Sequence, residues 1–124
     1  MILGLGIDVC PVERIKGILE RHGSVFTDRV FTATEREHAG DGVVRAERLA
    51  ARWAAKEAAI KALGAPPGMK WHDLEVTNDD EGAPSLELHG AAAEQASALG
   101  STRTLISLSH AGGVAVAVVI LEGA

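Results

Sequence analysis

Val44-Arg45-Ala46-Glu47-Arg48-Leu49-Ala50-Ala51-Arg52-Trp53-Ala54-Ala55-Lys56-Glu57-Ala58-Ala59-Ile60-Lys61-Ala62-Leu63 is the stretch whose reading decides the fold. It is rich in strong helix formers and free of breakers, and Gly64-Ala65-Pro66-Pro67-Gly68 stops it abruptly. The spacing predicts one long central helix. Its many alanines let a neighbouring backbone approach closely, so the helix is expected to be packed against other elements. Glu57 inside such a packed run, one turn after Trp53, then needs a cation or hydrogen-bond donors.

Upstream, Met1 to Ile7 reads as an apolar strand with glycines at 4 and 6, Asp8 as a turn, and Pro11 as the opening of a helix. In that helix Val12, Ile15, Ile18 and Leu19 form the buried stripe, Arg14 and Arg21 share a different, basic face, and Gly23 ends it. Phe31-Thr32-Ala33-Thr34-Glu35 reads as a capping box starting a short helix that Gly40 and Gly42 close. Downstream, Leu74 to Thr77 and Pro84 to His89 flank Asn78-Asp79-Asp80-Glu81-Gly82 as a hairpin, and Ala91 to Leu99 is an alanine-rich helix. Arg103 to His110 and Val114 to Glu122 pair across Ala111-Gly112-Gly113. The last strand is apolar on both faces and is expected to be buried on both. The fold class is α+β, and 124 residues are read as a single domain, 1–124.

Composition narrows the function. The chain is 47% hydrophobic and 23% charged, which opposes disorder. A formal charge of −5, with Trp53, Trp71, Phe26 and Phe31 as the only aromatics, opposes general nucleic-acid binding. Cys10 is the only cysteine, so no intrachain disulfide forms and a reducing, cytoplasmic setting is expected. No basic leader precedes the first strand, and Val114 to Leu121 is too short to span a bilayer, so no membrane association is expected.

The chemistry rests on a few polar residues. Asp8 and Glu57 together point to a Mg²⁺ site, because such sites take carboxylates in ones and twos and leave the remaining positions to water and phosphate oxygens. Lys61 lies one turn beyond Glu57 on the same face, an ammonium placed for phosphate. Taken singly, Asp8 is also a competent turn residue and Glu57 with Lys61 an ordinary surface pair. Arg45, Arg48, Arg52 and Lys56 form one stripe of the central helix, either a solvated face or the cradle of a polyphosphate; the three arginines are the candidate phosphate contacts of a nucleotide. His110 stands just before a Gly-Gly turn, where it is a candidate base or phosphate contact, or a solvated hairpin end. Ser107 and Ser109 lack a nucleophile elbow, and no phosphate loop, dinucleotide fingerprint or zinc array occurs.

Four blocks carry a resemblance to a known family: Gly4-Leu5-Gly6-Ile7-Asp8-Val9, Phe31-Thr32-Ala33-Thr34-Glu35, Ala51-Arg52-Trp53-Ala54-Ala55-Lys56-Glu57-Ala58-Ala59-Ile60-Lys61-Ala62-Leu63, and Ser107-Leu108-Ser109-His110. In order and spacing the chain resembles the holo-[acyl-carrier-protein] synthases, the short type of 4′-phosphopantetheinyl transferase. The resemblance implies a small antiparallel sheet packed on the central helix, assembled as a homotrimer. It also implies transfer of 4′-phosphopantetheine from coenzyme A to a serine of apo acyl carrier protein, with Mg²⁺ required and adenosine 3′,5′-bisphosphate released. Asp8 and Glu57 would hold the metal and Lys61 the pyrophosphate. Carrier proteins are acidic, so the Arg14 and Arg21 face is the expected docking surface. Gly64-Ala65-Pro66-Pro67-Gly68-Met69 and His38 depart from the family pattern.

Overall fold

The computed structural model describes residues 1–124. The long helix forms as the spacing predicts: α4, numbered in chain order after three shorter helices, spans Val44–Ala62 with Leu63 as its C-cap. One sheet packs against it, three antiparallel strands in the order β1-β5-β4, comprising β1 (Ile2–Pro11), β4 (Ser101–Ala111) and β5 (Val114–Gly123). A separate hairpin pairs β2 (Leu74–Asn78) with β3 (Pro84–Leu88). The remaining elements are α1 (Val12–His22), α2 (Ser24–Val30), α3 (Ala33–Ala39) and α5 (Gly90–Leu99).

Two glycines explain why α4 lies where it does. A Cβ at Gly6 would fall 1.8 Å from the Ala58 carbonyl oxygen, and one at Gly4 would fall 2.1 Å from that of Ala62. The strand therefore presents bare backbone to the helix, and the two approach more closely than any side chain between them would permit. Alternation along β1 then turns Gly4, Gly6, Asp8 and Cys10 toward α4 and leaves Leu5, Ile7 and Val9 on the other face. Ala115, Ala117, Val119 and Leu121 of β5 complete the inner surface and are buried, as are Ala54, Ala55, Ala58 and Ala59 of the helix.

Three expectations change. No turn forms at Asp8, because pairing with β5 continues through Asp8↔Ala117 to Pro11↔Val114; Pro11 ends the strand and, as expected, also opens α1 as its N-cap. Gly23 does stop α1, its N–H donating to Leu19 O at 3.0 Å, but α2 begins at the next residue, a helix with no sequence expectation. Strand β5 is buried on the helix-facing side alone; its other side, Val114, Val116, Val118 and Ile120, is half-buried. The capping box is present as expected: Glu35 N donates to Thr32 Oγ1 and Thr32 N to Glu35 Oε1, at 3.2 and 2.8 Å. No helix is long and apolar enough to cross a membrane.

Candidate active site

Asp8 and Glu57 reach one place because β1 and α4 cross there. Glu57 precedes Ala58, the residue seated on Gly6, and Lys61 follows one turn later. The Lys61 ammonium donates to Ile7 O at 2.8 Å and meets Asp8 Oδ1 at 3.3 Å. Burial pushes the Glu57 carboxyl up from its ordinary value, the Asp8 charge pushes it further, and Lys61 opposes both. Burial likewise raises the neighbouring Cys10 thiol; Arg14 lowers it, and both Asp8 and Glu57 raise it. Lys61 pairs directly with Asp8 and acts on Glu57 through its charge alone, so two carboxylates stand against one ammonium at a partly open site. An all-oxygen donor pair of this kind suits a small, hard divalent cation.

The basic stripe resolves differently from its spacing. Lys56 is fully buried, ion-paired to Glu35 Oε1 at 2.8 Å and donating to the carbonyls of Trp71, at 3.0 Å, and Leu74. Arg52 is 7% exposed; it donates to Arg48 O at 3.2 Å and Asn78 Oδ1 at 3.1 Å, and its Nε has no partner. Arg45 donates to Gly40 O at 2.7 Å and Arg36 O at 3.3 Å, tying down the C-terminal carbonyls of α3. Arg48 alone is exposed. It and Arg52 line two clefts, one of about 290 Å³ shared with Glu47, Leu108 and His110, the other of about 370 Å³ shared with His38, Asn78 and Gly82. His110 Nδ1 lies 3.0 Å from Glu47 Oε1 at the rim of the first.

Asp8, Glu57 and Lys61 therefore converge, and Arg48, Arg52 and His110 converge separately. Nine residues of helix, about 13 Å at 1.5 Å per residue, divide Arg48 from Glu57 within one chain. Arg14 and Arg21 are exposed on α1 and make no ion pair. Sequence reasoning missed Asn78, which joins Arg52 to His38, and the partners of Lys56; the signal was a lysine directly following two alanines in a packed run. A third group, Glu75, Glu87 and His89, gathers on the hairpin. Burial alone would raise the Glu75 carboxyl, yet hydrogen bonds from Thr32 and His89 and the charges of His89 and Lys56 hold it below the usual range.

The chain matches the 4′-phosphopantetheinyl transferase superfamily over residues 4–119. It is 53% identical over 127 residues to a holo-[acyl-carrier-protein] synthase of Anaeromyxobacter dehalogenans, covering 100% of this chain and 98% of that protein. The solved holo-[acyl-carrier-protein] synthase of Helicobacter pylori, in complex with coenzyme A, superposes with a TM-score of 0.84 at 27% identity, over 95% of this chain and 99% of that one. That of Bacillus anthracis, in complex with CoA (3′,5′-ADP), gives 0.80 at 36% identity, over 100% and 99%. The crossing of β1 and α4, with its acids and lysine, is thus found in a chain that belongs to the 4′-phosphopantetheinyl transferase superfamily and, within it, to the holo-[acyl-carrier-protein] synthases.

Proposed function

We propose that the protein moves the 4′-phosphopantetheine arm of coenzyme A onto a serine hydroxyl of an apo acyl carrier protein and releases adenosine 3′,5′-bisphosphate. The observation that carries this reading is the convergence of Asp8, Glu57 and Lys61 where β1 meets α4. Asp8 and Glu57 would hold Mg²⁺, which when bound neutralises charge on the coenzyme's pyrophosphate. Lys61, already over the site, is placed to contact the same phosphates as charge develops on the departing oxygen. The serine oxygen bonds to the phosphorus as the pyrophosphate bridge breaks, and the serine proton passes to a water held at the Asp8–Glu57 site or to His110.

Arg48, with Arg52 behind it, offers the coenzyme's remaining phosphates a forked donor, and His110 and Ser109 border the same cleft. Arg45, turned to carbonyls of α3, contributes by fixing the cleft's edge. The outer sheet face supports assembly as a homotrimer: Leu5, Ile7 and Val9 are 63%, 55% and 51% exposed, a row of apolar side chains that gains by being covered. Within one chain the acid pair and the cleft stand about 13 Å apart along α4, and sites between subunits, as the family resemblance implies, would bring one chain's acid pair beside another's cleft. Fatty-acid synthesis in the cytoplasm is the process this activity serves, and Arg14 and Arg21 are the proposed contact to the acidic carrier.

The test is transfer itself. Incubation with coenzyme A, Mg²⁺ and an apo carrier protein is expected to add the mass of one phosphopantetheine per carrier. Coenzyme binding without product would instead identify a non-catalytic nucleotide-binding protein.

A further inference from the structure

We infer that the buried Lys56–Glu35 pair is a positioning device: it fixes the rotation of α4 about its own axis, and so aims Glu57 at Asp8. This rests on the reading of the acid pair above, and assigns Lys56 no contact with substrate. Lys56 and Glu57 are adjacent on the helix and therefore about 100° apart around it. Glu57 faces β1, while Lys56 points about a quarter-turn away, to the flank where three elements meet it. There its ammonium has three acceptors, Glu35 Oε1 at 2.8 Å, Trp71 O at 3.0 Å and Leu74 O. Glu35 is held in turn: Oε1 accepts from Thr32 N at 2.8 Å and Oε2 from Val76 N at 2.9 Å, and the side chain is wholly buried. The pair therefore pins α4 to α3, to β2 and to the residues leading into it through groups whose positions are fixed by backbone.

Stability alone does not account for such an arrangement. An apolar pair of equal volume commonly serves a core as well as a buried ion pair does, whereas a fully satisfied pair admits one geometry. The need for one geometry is plain from the arm length. A side-chain tip rides about 5–6 Å from the helix axis, so a turn of about 20° displaces it by about 2 Å. A misplacement of about 1 Å at reacting groups costs up to about a hundredfold in rate. The glycine contacts at Ala58 and Ala62 set how close α4 lies to β1. On the strand side the Lys61 ammonium adds one bond to Ile7 O, and the Lys56 clasp supplies a second, fully buried constraint on the neighbouring flank.

Lys56→Met keeps the length and volume and removes the three hydrogen bonds. Studied where circular dichroism and cooperative unfolding show it folded, it is expected to bind Mn²⁺ at least tenfold more weakly than the parent and to lose at least tenfold in kcat, with KM for the carrier within twofold. The stacked pair Trp53–Trp71, 4.8 Å between centroids, reports the rotation independently, and its near-ultraviolet signal should change. Glu35→Gln, which keeps an acceptor for the backbone and two of the lysine's partners, should show the same pattern more weakly. Parental Mn²⁺ affinity and kcat in either folded variant would overturn the inference, as would failure of both to fold, since the pair would then be serving stability alone. Glu57→Gln separates the two ideas: parental activity there removes the acid pair itself, whereas its loss beside an intact Lys56→Met removes only the positioning role.

Discussion

The two flanks of α4 carry similar charges at similar spacings and do opposite things. Toward β1, Glu57 and Lys61 meet Asp8 with one ammonium for two carboxylates, partly open to solvent. Toward α3 and β2, Lys56 and Glu35 are sealed from water, with every lysine proton directed at an acceptor. The difference is whether the hydrogen-bonding ledger closes inside the chain. Where it closes, charge is scaffold; where it is left with an excess, charge is available for chemistry.

Substitutions should separate the flanks in a definite order. Gly6→Ala is expected to have the largest effect on the fold. Its methyl would have to displace the Ala58 carbonyl, so α4 must lift from β1, lowering unfolding free energy by roughly 3 kcal/mol and abolishing transfer. Denaturant unfolding followed by the transfer assay measures both. Arg48→Ala should come next, raising KM for coenzyme A about tenfold with the unfolding midpoint unchanged, since a charge-assisted contact of this kind is worth about 1.5–3 kcal/mol. Arg45→Ala should do the reverse, lowering stability by about 1 kcal/mol through the freed α3 carbonyls while KM stays near the parent. A coenzyme KM that moves equally in both would erase the distinction drawn between them. Arg14→Glu with Arg21→Glu should lower kcat/KM for the carrier about tenfold at low salt, and the difference should shrink as salt screens the encounter.

The pH dependence of stability offers a smaller but signed effect. Glu57 has a folded-state pKa above its ordinary 4.5, so its favourable contribution is complete below that value and is lost as pH rises through the folded pKa. Glu57→Gln should therefore gain on the parent as pH is raised from about 4.5 toward neutrality, by a modest amount because the group is only part-buried. Chemical unfolding of both proteins at several pH values shows the sign directly.

Much of this was legible in the sequence, and the limits are physical. Helix α4, the capping box at Thr32 and Glu35 and both hairpins follow from propensity, punctuation and spacing, whereas the roles of Asp8, Glu57 and Lys61 rest on the family resemblance, since each residue taken singly also reads as turn or surface. The continuation of β1 through Asp8 was not, because a strand's end is decided by its partner, here β5, far away in sequence. Helix α2 hides because Gly23 reads correctly as a stop and gives no sign that another helix follows at once. The stripe from Arg45 to Lys56 has a solvated face's periodicity. What buries Lys56 and Arg52 is the arrival of Glu35, Asn78 and two carbonyls from distant segments. Periodicity locates a face; it does not reveal what covers it.

The central claim is that Asp8 and Glu57 act as one ion-binding pair. Its most direct test is thermal unfolding of the parent, Asp8→Asn and Glu57→Gln, each with coenzyme A and increasing Mg²⁺. The parent should be stabilised in proportion to the logarithm of free ion once its site fills, by about 2.7 kcal/mol at a hundred times Kd, and both variants should be insensitive. Equal stabilisation of all three proteins would contradict the claim.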